Sequence, residues 1–200
     1  MGGMPAGRVS VNFPVTGAGD GPPVAVLLAC YPTSGIGIAE GTMVLSVQEE
    51  STGREDVASL LRQSDILAAS LYPDASRRPL HPETWARPDT SFFVVRTDDL
   101  TAAGCCILVE GGDGSGELKR MFVDPGFRRR GAGKALLRAV ESAALNKRIH
   151  TIRLEAGIRN TDGHALYRQA GYKERGPFGA HRPSPLSLFF EKRLEERSGE

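Results

Sequence analysis

The chain has 200 residues, enough for one domain with a sizeable core. Its formal net charge is +1, from 25 Lys and Arg against 24 Asp and Glu, so charge does not direct it to nucleic acid or to an anionic membrane. No apolar run approaches the ~20 residues that a membrane-spanning helix needs, so we expect neither nucleic acid nor a membrane as a partner.

The three cysteines are Cys30, Cys105 and Cys106. An odd number gives no disulfide framework. Adjacent residues of a strand point to opposite faces, so Cys105 and Cys106 do not suggest a metal site. Reduced thiols are typical of the cytoplasm, and we expect a cytoplasmic protein without a bound metal.

Residues 1–42 differ in composition from the rest of the chain. They contain nine Gly, five Pro and three charged residues, with little periodicity among the apolar residues. Such a segment has little to pack, so we expect a flexible N-terminal extension. A regular pattern begins at Met43, which is compatible with Met43 as the natural start. We expect the folded domain over 43–194 and a frayed tail at 195–200.

Hydrophobic periodicity predicts strands and helices in succession after Met43. Alternation predicts a strand at 43–50, and helical spacing predicts a helix at 54–71. Residues 73–90 are rich in Pro and charge and form a long irregular connection, with Trp85 in a short helix. The later predicted elements are strands at 91–96, 103–110 and 117–123, a helix at 133–145, a strand at 151–156, a helix through Gln169, and strands at 172–175 and 186–194.

The connections predict how these strands pair. Short turns join the three strands between residues 91 and 123, which is typical of an antiparallel meander. A helix links the strand at 117–123 to the strand at 151–156, so those two should be parallel, with a right-handed crossover. We expect Thr161 or Asp162 to cap the last helix and Gly171 to end it.

A basic glycine loop precedes the helix at 133–145. The loop fits the pattern Arg/Gln-x-x-Gly-x-Gly, with Arg128, Arg129, Arg130, Gly131, Ala132 and Gly133. The glycines let the backbone turn tightly and let a ligand approach it. The first N–H groups of the helix lack partners within the helix, and together with the positive end of the dipole they form an anion site. Strand, loop and helix together predict a phosphorylated ligand.

With these motifs in place, the chain resembles the GNAT (Gcn5-related) N-acetyltransferases. The meander, the glycine loop and the following helix stand in that family's order, and so do four motifs further along the chain: Leu154-Glu155, Asn160, Leu166-Tyr167 and Gly171-Tyr172. The resemblance covers about residues 43–194. The runs GELKRMFVDP and RGPFGAHRPSPLSLFFEK are similar to a bacterial group that acts on small substrates.

This resemblance implies an α/β (α+β) fold, a twisted, mixed and mostly antiparallel sheet flanked by helices, in which the fourth and fifth predicted strands splay apart. The pantetheine arm of acetyl-CoA, the co-substrate, would lie in the gap and pair with backbone groups of Met121, Phe122 and Val123. The pyrophosphate would rest on the amides of Arg128, Arg129, Arg130, Gly131, Ala132, Gly133 and Lys134. Asn160 and Tyr167 would also touch the cofactor.

The resemblance further implies direct acetyl transfer to an amine, without an acyl-enzyme. The ammonium must lose a proton, the thioester carbonyl must be polarised and the leaving thiolate must be protonated. Tyr167 matches the family's usual acid for the sulfur. Glu117 and Glu155 are the candidate bases, and water or another group stays open as an alternative. His164 could approach the site, and His181 could line the acceptor pocket.

The acceptor pocket is expected between residues 72–87, the late loop at 178–185 and the fourth strand. Arg77, Arg78, Arg182 and Lys119 would make it basic, so we expect a small primary amine that also carries a carboxylate or phosphate. A protein or peptide N-acetyltransferase and a non-catalytic acyl-CoA sensor are the alternatives. A homodimer is left open.

Overall fold

The helices and strands follow the hydrophobic pattern of the sequence closely. The computed structural model describes residues 43–51, 53–72 and 87–195, together with the backbone of 11–14. The strands are β1 (Val11–Pro14), β2 (Val44–Glu49), β3 (Thr90–Thr97), β4 (Ala102–Glu110), β5 (Ser115–Val123), β6 (Thr151–Gly157), β7 (Lys173–Arg175) and β8 (Ser187–Arg193). The helices are α1 (Glu55–Leu71), α2 (Ala132–Asn146) and α3 (Thr161–Gln169).

All eight strands belong to one sheet, in the order β1-β2-β3-β4-β5-β6-β8-β7. Neighbouring strands run antiparallel, except that β5 and β6 are parallel and are connected through α2. The predicted meander and the predicted parallel crossover are therefore both confirmed.

Each face of the sheet carries its own apolar core. Helix α1 packs Val57, Leu60 and Leu61 on one face, where Cys105 also lies. Helices α2 and α3 cover the opposite face, where Cys106 is buried. The two cysteines thus point to opposite faces, as predicted, and burial raises the pKa of the Cys105 thiol to about 12. Both thiols are buried in the apolar cores.

Strands β5 and β6 separate halfway along their length. They pair from Ser115 to Leu118 with residues 151–154, and the pairing ends there. Strand β5 has one residue more than β4 between the pairs Cys105–Phe122 and Ile107–Lys119, which forms a β-bulge. Arg120, within this bulge, has a φ of 53°. A bulge bends its strand and redirects the backbone. The bulge lies just beyond the last β5–β6 pair, so the implied splay is confirmed and has a local cause.

Two sequence expectations need correction or extension. Helix α3 begins at Thr161, and its cap is Asn160, whose side chain accepts a hydrogen bond from the Gly163 N–H at 3.1 Å. Neither Thr161 nor Asp162 is the cap, because the chain enters the helix one residue earlier than predicted. Within the expected N-terminal extension, Val11–Pro14 pairs with β2.

Several other expectations concern residues outside the described part of the chain. These are the remainder of 1–42, Cys30 within it, the connection that contains Arg77, Arg78 and Trp85, and the tail at 196–200. Among the helices that are described, none is long and apolar enough to cross a membrane.

Candidate active site

The splay between β5 and β6 opens a cavity of about 560 Å³. Its walls come from α1, β5, β6, the start of α3 and the loop before β8. The lining residues are Ser64, Leu67, Ala68, Leu71, Tyr72, Glu117, Leu118, Lys119, Arg120, Met121, Phe122, Glu155, Ala156, Gly157, Asn160, Tyr167, Ser184, Leu186 and Ser187. The candidate acid, both candidate bases and two of the three predicted strand residues thus meet in one place.

Helix α2 begins with unpaired backbone donors. Its first internal hydrogen bond runs from the Ala135 N–H to the Gly131 carbonyl at 2.9 Å. The N–H groups of Ala132, Gly133 and Lys134 therefore have no partner within the helix. Gly131, the residue before the helix, has a φ of 87° and supplies no capping side chain. Free N–H groups at a helix start are the kind of donors that an anionic ligand uses, so binding of the pyrophosphate here stays a prediction.

The three loop arginines have different surroundings. Arg129 and Arg130 are exposed, as is Lys134 on the first turn of α2. The Arg128 side chain folds back, and its Nε donates to the Val123 carbonyl oxygen at 3.1 Å. Arg128 therefore links the loop to the end of β5. Its hydrogen bond uses the Val123 carbonyl, one of the backbone groups expected to pair with the pantetheine arm.

Tyr167 projects from α3 into an apolar surrounding at the cavity. It is only 4% exposed, and its ring packs edge-on against Tyr172 at a centroid distance of 5.9 Å. Burial raises the pKa of the Tyr167 phenol above its ordinary value. The hydroxyl therefore stays protonated at neutral pH. Asn160 lines the cavity while it caps α3, so a structural role and contact with a ligand are compatible at this position.

The two candidate bases are held together by His181. Its Nε2 lies 2.8 Å from Glu117 Oε1, and its Nδ1 lies 3.2 Å from Glu155 Oε2. Lys119 Nζ also contacts Glu117, and the Ser187 hydroxyl donates to Glu155. An ion pair between Glu155 and Arg153 would have been a structural alternative, but Arg153 pairs with other carboxylates on Asp113 and Glu191.

His164 has a structural position. The residue is 5% exposed, and its Nε2 lies 3.0 Å from the Gly157 carbonyl oxygen. It also packs against Phe190, with ring centroids 5.7 Å apart. The side chain fixes α3 on the end of β6 and does not line the cavity.

The described cations of the cavity wall are paired. Lys119 contacts Glu117, and Arg120 Nη1 lies 2.8 Å from Asp65 Oδ1 on α1. Arg182 is exposed in the late loop and is not part of the wall. In the described part of the cavity wall, the two cations Lys119 and Arg120 are therefore matched by two carboxylates, Glu117 and Glu155.

Tyr72 lines the cavity at the C-terminal end of α1. Its hydroxyl accepts a hydrogen bond from the Arg159 N–H at 2.6 Å, and the Arg159 guanidinium donates to the Leu71 carbonyl at 2.7 Å. The ring lies over Gly157, where an added Cβ would stand 2.2 Å from the Tyr72 hydroxyl oxygen. This contact fixes the C-terminal end of α1 against the end of β6 and requires glycine at position 157.

Some site residues escaped the sequence analysis. The apolar wall from α1 consists of Leu67, Ala68 and Leu71, which follow the same helical spacing as the core residues. The sequence pattern therefore does not distinguish apolar residues that line a cavity from those that pack in the core. The link between Glu117, Glu155 and His181 depends on the path of the loop before β8, which sequence periodicity does not define.

Comparison with known proteins identifies the fold and the family. The sequence model of the Acetyltransferase (GNAT) family matches residues 57–172. An IAA acetyltransferase of Azospirillum brasilense is 38% identical over 151 residues, covering 75% of this chain and 98% of that protein. A solved structure from Klebsiella pneumoniae, assigned to the acyl-CoA N-acyltransferases, is 32% identical with a TM-score of 0.65, over 76% of this chain and 98% of that one.

A more distant solved structure shares the fold. It is an N-acetyltransferase of Thermoplasma acidophilum in complex with coenzyme A, 21% identical with a TM-score of 0.58, over 74% of this chain and 98% of that one. The family match spans more than half of the chain, and the Azospirillum relative aligns over nearly its whole length. The chain therefore belongs to the GNAT family of acetyltransferases.

Proposed function

We propose that the protein transfers the acetyl group of acetyl-CoA directly to a primary amine of a small molecule, without an acyl-enzyme. The observation that carries this proposal is the cavity at the β5–β6 splay, which Tyr167, Glu117 and Glu155 all line. No acyl-enzyme is needed, because these groups can supply an acid and a base for one direct displacement.

Acetyl-CoA fits the groups on the donor side. The free N–H groups at the start of α2 suit the pyrophosphate, and the strand edge of β5 beyond Leu118 has lost its neighbour β6. Met121, Phe122 and Val123 supply backbone groups along that edge. Because Val123 already accepts from Arg128, Met121 and Phe122 are the better candidates for pairing with the pantetheine arm. The Thermoplasma protein, which shares the fold, was solved with coenzyme A.

The chemical roles follow from position and burial. Glu117 or Glu155 takes a proton from the acceptor ammonium, and a backbone N–H of β5 polarises the thioester carbonyl. Tyr167 protonates the leaving thiolate, for which its buried and protonated phenol is suited. Asn160 holds the cofactor arm from the start of α3.

The acceptor must suit a cavity with two carboxylates and an apolar wall from α1. The carboxylates attract an ammonium group, and the family relationship to an IAA acetyltransferase favours a small molecule over a protein. We keep the proposal that the acceptor also carries a carboxylate or phosphate, which Lys119 or Arg182 would meet. Lys119 lines the cavity but already contacts Glu117, and Arg182 lies exposed in the late loop, outside the cavity wall.

Release of free thiol from acetyl-CoA tests the proposal directly. The full chain is incubated with acetyl-CoA and a panel of amino acids, amines that carry a phosphate, polyamines and peptides. We expect thiol release with small amines above the rate without an acceptor. A rate with every small amine equal to that background would contradict the proposed activity. A clear preference for polyamines would contradict the anionic group on the acceptor.

A further inference from the structure

His181 is fixed in place before any ligand is considered. It lies in the loop between β7 and β8, and its backbone N–H donates to the Phe178 carbonyl at 3.0 Å. Its ring stands between Phe178 and Phe189, with centroid distances of 4.7 Å and 5.6 Å. These contacts leave the ring little freedom to rotate, so the directions of its two nitrogens are set by packing.

The imidazole bridges the two strands at the point where they part. Glu117 belongs to the last paired stretch of β5, and Glu155 follows the last paired residue of β6. Each carboxylate reaches one ring nitrogen, at 2.8 Å for Glu117 and 3.2 Å for Glu155. Both carboxylates line the cavity, whereas His181 stands behind them.

The arrangement of donors and acceptors decides what this cluster can do. A neutral imidazole has one N–H donor and one acceptor nitrogen, while an ionised carboxylate only accepts. The Nε2–Glu117 contact has hydrogen-bond geometry, and the Nδ1–Glu155 contact is an ion-pair approach at 3.2 Å. Each ring nitrogen can present an N–H to its carboxylate only if the three groups together hold two protons. With a single proton, one nitrogen lone pair faces a carboxylate oxygen. The geometry therefore leaves a place for one further proton between the ring and a carboxylate oxygen.

We propose that His181 is a positioning residue that joins Glu117 and Glu155 into one proton-accepting unit, the base for the acceptor ammonium. This inference rests on the proposed function. An N–H bond of the ammonium breaks, its electron pair stays on nitrogen, and the proton passes to the carboxylate nearest to it. The imidazole shares that proton with the second carboxylate. Glu155, whose side chain is 38% exposed, then returns it to water.

The remaining steps balance the protons. The free amine attacks the thioester carbon, the C–S bond breaks with its electron pair on sulfur, and Tyr167 protonates the thiolate. The second proton leaves the nitrogen as the amide forms and restores the Tyr167 phenol. The net products are an amide, a free thiol and one proton released through the cluster.

The groups around the imidazole define its electrostatic setting. Glu117 faces it from β5 with Lys119 behind, and Glu155 faces it from β6 with the Ser187 hydroxyl of β8 behind. Phe178 and Phe189 cover the ring and carry no charge, and Arg175 lies over the Phe178 ring at 5.7 Å. Two carboxylates therefore contact the ring directly. The nearby cations do not: Lys119 contacts Glu117, and Arg175 contacts Phe178.

The test uses the best amine from the thiol-release screen. His181→Gln keeps a donor near Glu117 but cannot relay a proton, and His181→Phe keeps the ring packing but no hydrogen bond. His150→Gln is the matched control, because His150 is exposed and stands outside the cavity. The measurements are kcat/KM between about pH 6 and about pH 9 and the Kd of acetyl-CoA by calorimetry.

We expect both His181 variants to lower kcat/KM by about 10- to 100-fold near neutral pH. The loss should shrink as pH rises, because the free amine then forms without a base. The Kd of acetyl-CoA should change by less than about twofold. In a chain that already carries a His181 replacement, Glu117→Gln should lower kcat/KM only slightly further. The control should behave like the wild type.

Two results would overturn the inference. One is a wild-type rate and pH profile in both His181 variants. The other is an equal loss at every pH that adds fully to the loss from Glu117→Gln, which is what mere disturbance of the loop would give. Failure of the proposed function is a separate result, because it would show as an inactive wild type.

Discussion

Tyr167 combines the two properties that an acid for the leaving thiolate needs. It borders the cavity, and burial keeps its phenol protonated by raising its pKa. Its packing against Tyr172 and Phe190 involves the ring, so removal of the hydroxyl should leave the fold unchanged.

Tyr167→Phe should therefore lower kcat by about 100- to 1,000-fold, within the usual range for loss of a general acid. The Kd of acetyl-CoA should stay nearly constant, since the phenol acts on the sulfur mainly as the C–S bond breaks. Steady-state kinetics and calorimetry separate the two effects. An unchanged kcat would remove Tyr167 from the mechanism.

Gly131 is the residue on which the geometry of the basic glycine loop depends most directly. Its φ of 87° lies in the region that residues with a side chain rarely adopt. Gly131→Ala should strain the entry to α2 and weaken acetyl-CoA binding by roughly tenfold, which corresponds to about 1.4 kcal/mol.

The matched control is Gly112→Ala, in the exposed turn between β4 and β5. A Cβ at position 112 would meet no atom within 4 Å, and Gly112 has no positive φ. Calorimetry should show wild-type affinity for this control. Equal affinities for the two variants would mean that the loop backbone does not hold the pyrophosphate.

At the scale of elements, Arg96 connects β3 to the start of α1. Its guanidinium makes two hydrogen bonds to the Glu50 carboxylate, at 2.7 Å and 2.8 Å, and a third to Asp56 at 2.7 Å. The Arg96 side chain is 6% exposed and that of Glu50 is 12% exposed. Breaking a buried pair leaves the other charge without compensation.

Arg96→Met should therefore lower the free energy of unfolding by about 3–5 kcal/mol. Arg62→Met is the control, because the ion pair of Arg62 with Glu55 lies on the surface, where such pairs contribute little. Urea denaturation at neutral pH measures both variants. Equal stabilities would show that the buried network does not hold α1 on the sheet.

The same network predicts a dependence of stability on pH. Hydrogen bonds from Arg54 and Arg96 hold the pKa of Asp56 well below its ordinary value of 3.8. A carboxyl group whose pKa is lowered on folding stabilises the protein above its unfolded pKa, and the contribution is lost as pH falls through the folded value.

Asp56→Asn should consequently cost more stability at pH 7 than in acid. The difference in unfolding free energy between wild type and variant should narrow as pH falls below about 4. Asp98→Asn, in the exposed turn after β3, serves as the control. A difference that stays constant with pH would contradict the assigned role of Asp56.

At the scale of the whole molecule, local patterns predicted the elements, and tertiary contacts set the details of the site. Apolar periodicity was sufficient for α1, α2 and the meander, because each element buries one continuous stripe or face. The opposite faces of Cys105 and Cys106 followed from strand geometry alone. Glu117, Glu155 and Tyr167 could be named as candidates because the family resemblance covers the regular elements on which they lie, and the structure places all three at one cavity.

Other features depend on where distant segments meet. The bridge from His181 to the two carboxylates joins residues 64 positions apart, from Glu117 to His181, through a loop without periodicity. The bulge at Arg120 is a shift in the pairing of β5 with β4, and the alternation of apolar residues along β5 alone does not reveal it. Asn160, and not Thr161 or Asp162, caps α3 because of the path that the chain takes after β6, which the sequence pattern does not define.

Binding of acetyl-CoA to the wild-type chain tests the central claim most directly. In a calorimetric titration of the full chain, we expect saturable binding at one site per chain, with coenzyme A competing for it. We expect this binding to involve the free amides at the start of α2 and the open edge of β5. Absence of heat and of competition at millimolar ligand would contradict the donor site and the acetyl transfer built on it.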